Sequence, residues 1–132
     1  MTLDDTFERR LQLAKEEREQ LAEENKRLAV EKLNAAISAN LDQPQLEELL
    51  WDAIIQFDSY PFRTVKKMNF TYQVRGYEMF ISRKEKSITR SSVNMAFRIA
   101  QEMEGRVSGP KKLKVFGASY LYPVFVRFGI IV

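Results

Sequence analysis

The chain has no cysteine and no histidine. That pair of absences excludes disulfides, thiolate zinc sites, Cys/His nucleophile pairs and the Ser-His-Asp triad together. A carboxylate-only magnesium site stays open in principle. No nuclease-like set of acids with a lysine is recognisable, however, and the basic half offers only Glu78, Glu85, Glu102 and Glu104. Carboxylate catalysis needs two acids converging in a cleft, so no catalytic residue, metal site or cofactor is expected. No run of 18 apolar residues occurs, which argues against a membrane span. The opening Met1-Thr2-Leu3-Asp4-Asp5 is acidic where a signal peptide needs a basic and then an apolar region, and a cytoplasmic protein is expected. There is no G-x-x-x-x-G-K-[S/T] phosphate loop.

What the chain does have is charge, unevenly placed. Residues 1–58 hold seven Lys/Arg against fourteen Asp/Glu, a net −7, while residues 59–132 hold fourteen against four, a net +10. Such a split points to an anionic partner for the basic part, or to contact between the two parts.

From Thr6 to Ala39 there is neither glycine nor proline, and Leu, Glu, Lys, Arg, Ala and Gln dominate. These residues lose little entropy in a helix. Asp4, Asp5 and Glu8 suit the positive end of its dipole. A seven-residue register places Phe7, Ala14, Leu21, Leu28 and Ala35 at one seam position (d) and Leu11, Arg18, Asn25 and Lys32 at the other (a). The centre of this segment has a leucine-zipper pattern, with Asn25 as the polar seam residue that sets register. Arg18, Lys32 and the two alanines weaken the seam. Two readings therefore stand: a coiled-coil homodimer through Leu11, Leu21, Asn25 and Leu28, or a solvated helix laid along its own domain, where it would mask the basic part.

Asn40-Leu41-Asp42-Gln43-Pro44 breaks the helix, with Asp42 as N-cap and Pro44 in the first turn of a second helix to about Phe57. Leu46, Leu49, Leu50, Ala53, Ile54 and Phe57 make its buried face. The period then becomes two: Phe70, Tyr72 and Val74 alternate with polar residues, Arg75-Gly76 turns, and residues 77–82 return as the second strand of a hairpin. A third helix is expected from Ile88 to Glu104, capped by Ser87 or Thr89 and closed by Gly105, with Val93, Ala96, Phe97, Ala100 and Met103 inward. In the apolar tail, Pro123 either begins a last helix or accompanies a short strand. The fold class is α+β, with an acidic heptad-patterned segment over residues 1–40 and a basic domain over residues 41–132.

Three groups of residues bear on function. Arg83, Lys84 and Lys86 lead into the third helix, where Arg90, Asn94 and Arg98 are spaced four apart on one face. Arg and Asn read base edges in a major groove, and a helix N-terminus rich in Ser and Thr suits phosphate oxygens. The same residues also make an ordinary solvated face. Lys111, Lys112 and Lys114, after Gly109-Pro110, form a second cluster suited to tracking a phosphate backbone, or a solvated loop. Phe70, Tyr72, Tyr77 and Phe80 beside Lys66, Lys67 and Arg75 would stack bases if exposed, and belong to the core if not. The leading expectation is a non-enzymatic DNA-binding protein, a small regulator or accessory protein of bacterial or mobile-element type, favouring duplex DNA over single strands and dimerising through its first helix. The alternative is a protein-interaction module or small inhibitor that works through its charged surfaces.

Overall fold

A computed structural model describes residues 3–132, with side chains from Thr6 onward. The side chains of Asp4 and Asp5, expected at the helix dipole, lie outside the described residues. Helix α1 (Leu3–Ser38) runs for 36 residues, about 54 Å at 1.5 Å per residue. It ends where Asn40 takes a left-handed conformation (φ 55°) and the Leu41 N–H reaches back to the Ala36 carbonyl at 3.2 Å. That closure satisfies carbonyls the helix would otherwise leave bare.

Helix α2 (Gln43–Gln56) starts as its residues dictate: Asp42 Oδ1 accepts from the Gln45 N–H at 3.0 Å, and Pro44 sits in the first turn. It packs back along the last turns of α1, so Leu33 and Ala36 of α1 share one core with Leu46, Leu50, Ala53 and Ile54 of α2. The break at residues 40–42 thus joins two helices that bury each other's apolar faces.

Five short strands follow. Strands β1 (Phe62–Arg63) and β2 (Asn69–Phe70) make a two-stranded ribbon, while β3 (Tyr72–Arg75), β4 (Glu78–Ile81) and β5 (Ile88–Thr89) form an antiparallel sheet with β4 in the middle. The expected hairpin is β3–β4, with Arg75 opposite Glu78 across Gly76 and Tyr77. Of the alternating residues, Phe70 and Tyr72 are buried and Val74 is half-buried. The Tyr72 hydroxyl donates to the Ile54 carbonyl at 2.7 Å, and the Asp58 carboxylate accepts from the Val74 N–H at 2.8 Å. Both bonds tie the sheet to the end of α2. The β1–β2 ribbon was not anticipated, because two-residue strands have no period to read.

Helix α3 (Arg90–Glu102) begins two residues later than expected, since Ile88 and Thr89 pair with β4 as β5. Thr89 is the N-cap: its Oγ1 accepts from the Ser92 N–H at 3.2 Å, while the Ser87 hydroxyl donates to Glu78 at 2.6 Å. Gly105 closes the helix at φ 78° with its N–H on the Ala100 carbonyl at 2.8 Å. A short 3-10 turn (Pro110–Leu113) leads to helix α4 (Ala118–Arg127). The apolar tail is therefore helical, and Pro123 lies inside the helix rather than in its first turn. Phe57, Phe97, Leu121, Phe125 and Phe128 fill the centre between α2, α3 and α4. Among the described residues no helix is long and apolar enough to cross a membrane.

Candidate nucleic-acid interface

The residues singled out in the basic part separate into two places. On α3, Arg90 and Arg98 turn toward α2. Arg90 Nη2 donates to Glu48 Oε1 at 2.7 Å, and its guanidinium lies 5.6 Å from the Trp51 ring centre and 5.4 Å from that of Tyr77. Arg98 grips Glu47 with two bonds, at 2.8 and 3.1 Å. Gln43 Nε2 adds a bond to Glu47 at 3.1 Å and another to Gln101 at 2.8 Å. Burial pushes the Glu47 carboxyl upward, but the bonds from Arg98 and Gln43 outweigh it and hold the group below the usual carboxylate range. The Glu47 bonds in turn raise the Arg98 guanidinium above its ordinary value. Asn94 sits between the two arginines, and its Oδ1 is buried without a hydrogen-bond partner among the described residues. Tyr77, Ser91 and Met95 complete a shallow depression around them.

The other cations lie on two loops that the fold brings side by side. Arg83, Lys84 and Lys86 belong to the connection between β4 and β5, and Lys111, Lys112 and Lys114 belong to the 3-10 turn and its exit. The Lys86 ammonium stands 4.6 Å above the ring of Phe116, two residues past Lys114. Next to it, Gly117 packs so closely on Ile88 that an added Cβ would lie 2.3 Å from Ile88 Cδ1. Leu113, fully buried, pins the turn beneath its lysines. Lys114 itself is left-handed at φ 55°, which turns the chain sharply between Lys112 and Phe116. Arg83, Lys84, Lys111, Lys112 and Lys114 are exposed, and none has a carboxylate partner among the described residues. Glu85 is the single acid in the first loop.

The aromatic residues divide as well. Phe70 and Tyr72 are core, stacked with Phe62 at 5.7 and 5.8 Å. Tyr77 and Phe80 face outward, the former beneath Arg90 and the latter beneath Arg75 at 5.6 Å. Phe116 is the residue that sequence reasoning passed over. It is half-exposed and joins the two basic loops. Its separation from Lys86 by thirty positions leaves no local signal.

The expected dimerisation residues stand open. Leu11 and Leu21 are 55% and 60% exposed, Asn25 is exposed, and Leu28 borders α2 beside Leu49 and Ile55. Every residue from Phe7 to Asn25 is exposed, and Glu16, Glu19, Gln20, Glu23 and Glu24 share an open cleft with Arg127 of α4. No protein-family model, curated protein or solved structure matches the chain, and the reading of the site rests on its own geometry.

Proposed function

We propose that the protein binds nucleic acid without catalysis, gripping the phosphate backbone with its two adjoining basic loops. One observation carries the reading: the Lys86–Phe116 contact draws two lysine- and arginine-bearing loops together, and five exposed cations there lack carboxylate partners among the described residues. Unneutralised cations on neighbouring loops gain most from displacing the counterions of a polyanion. The half-exposed ring of Phe116 adds a surface on which a base or sugar could rest. Arg90 and Arg98 are already neutralised by Glu48 and Glu47, so they contribute to the shape of this flank more than to its charge. Duplex DNA suits paired loops that meet phosphates across a groove better than a single strand does.

The test is fluorescence anisotropy with a labelled random duplex and the matching single strand over a salt series. Six loop cations in contact predict a log–log salt slope of about −5 for the duplex. Changing Lys111, Lys112 and Lys114 together to Ala should make that slope shallower by roughly 3 units, while Arg90→Ala with Arg98→Ala should leave it nearly unchanged. If no binding is detected even near about 50 mM salt, the phosphate reading fails.

A protein-interaction module is the second reading, favoured by the exposed apolar side chains of Phe7, Leu11 and Leu21 on α1. Capture of one defined protein by the full chain, lost when Leu11 and Leu21 become Glu and unaffected by the lysine changes, would favour it over nucleic acid.

A further inference from the structure

The apolar seam of α1 does not end where the helix meets the domain. From Asn25 onward it continues into an open groove of about 350 Å³ between α1 and α2, walled by Leu28 and Ala29 on one side and Leu49, Asp52 and Ile55 on the other. Ile55 is 43% exposed, an unusual state for an isoleucine beside a core, and Leu28 is 38% exposed. At the other end of the same helix, Phe7 and Leu11 are 63% and 55% exposed. One molecule thus offers a groove that can take a few apolar side chains and, on the same element, an exposed apolar helical stripe.

We propose that the groove and seam are filled by α1 of a second copy of the chain, running antiparallel, with Leu11 of each copy against Leu28 of the other. The charges decide the direction. In a parallel pair, like seam positions meet, so Arg18 would face Arg18 and Lys32 would face Lys32, and Arg10 would flank the second copy's Lys15. All three contacts join like charges. In the antiparallel register, Arg18 lies over the second copy's Leu21, Asn25 meets its Ala14, and Phe7 lies against the stem of its Lys32. Arg10 then falls between the second copy's Glu24 and Glu31. Arg27 of the same helix already bridges those two carboxylates, so Arg10 adds a second cation to two anions. Along the opposite flank, Lys15 passes the second copy's Ala22 and Ala29 and reaches Asp52, which has no ion pair among the described residues. Arg9 stays in solvent, and Glu17 lies between the second copy's Glu17 and Glu24, a rim contact of like charges that weighs less than the Arg18–Arg18 and Lys32–Lys32 seam contacts of a parallel pair; both grooves are filled at once. The inference is independent of the nucleic-acid reading, since none of these residues lies on the basic loops.

The absence of cysteine makes the test direct, because any introduced thiol is the only one present. Sedimentation equilibrium of the unaltered full chain should give twice the 15.5 kDa of one copy. Leu11→Cys and Leu28→Cys variants, both at exposed or half-exposed positions, are then mixed and oxidised. The antiparallel pair yields a cross-linked species containing one of each. Leu11→Cys alone yields none, because two Leu11 positions would lie about 25 Å apart along the seam, whereas a disulfide needs Cα atoms within about 4.4–6.8 Å. Arg10→Glu should weaken dimerisation several-fold. A monomer by sedimentation, a Leu11→Cys chain that cross-links to itself, a mixture that does not cross-link, or an Arg10→Glu chain that dimerises more tightly would each overturn the proposal.

Discussion

At the scale of single residues, the hydroxyl of Tyr72 shows how a polar atom can be stored inside this core. Tyr72 is fully buried, and its one polar group donates to the Ile54 carbonyl at the end of α2. Burial, and after it the nearby Asp58 carboxylate, hold the phenol well above its ordinary range. The folded state therefore favours the protonated form. Its contribution is intact below about pH 10 and is lost as pH rises through the raised folded value. Tyr72→Phe should cost about 1 kcal/mol in urea denaturation at neutral pH, because the bond is lost while the Ile54 carbonyl keeps a second donor in the Phe57 N–H. The same variant should lose less stability than the unaltered chain between about pH 9 and pH 11.

At the scale of elements, the joint between β5 and the entry to α4 matters most for the basic surface. Gly117 is left-handed at φ 82° and lies against Ile88, so Gly117→Ala meets both backbone strain and a side chain with nowhere to go. A loss of about 2–3 kcal/mol is expected by urea or thermal unfolding. Nucleic-acid affinity should fall with it under conditions where the variant is still folded, because the contact that seats one basic loop on the other is displaced. The boundaries of α2 and the close of α3 were legible in the chain, since Asp42, Pro44 and Gly105 act through local backbone chemistry that spacing reveals. The start of α3 was set instead by the pairing of Ile88 and Thr89 with β4. The β3–β4 hairpin was legible from the alternation through Tyr72 and Val74, but the same alternation ran on into Phe70, which belongs to β2 and pairs with Phe62 in the other sheet. The tail was not legible. Helix α4 starts at a left-handed glycine with no side-chain cap and carries Pro123 in its interior, so both usual markers of a helix start are missing or misplaced.

At the scale of the whole molecule, the charge split read from the sequence is only partly a division between solvent-exposed surfaces. Acids of α2 reach across to α3 and neutralise Arg90 and Arg98, while the loop cations stay open. Listing the basic residues in order could not separate these groups, because Glu47 and Arg98 are 51 positions apart and meet only through tertiary packing. The long helix α1 was legible from its composition, whereas the groove beside Leu28 depends on Leu49 and Ile55 of a different helix. The two proposals therefore use different surfaces. The salt slope should respond to the lysines of the 3-10 turn and not to Arg10, while sedimentation should respond to Arg10 and not to those lysines.

The exposed length of α1 has a consequence for how firmly its backbone is closed. The nineteen residues from Phe7 to Asn25 are exposed in a single copy, and a helix of that length alone is marginal in water. Their amide hydrogens should exchange with deuterium in near-random-coil times at dilutions where the chain is monomeric. Those of the last turns near Leu33, locked under α2, should hold out until the whole core opens. Raising the protein concentration should carry protection outward along the helix toward Phe7, so that the position of the exchange boundary measures association without a label. A boundary near Asn25 that stays fixed at every concentration would mean that the outer helix never finds a partner.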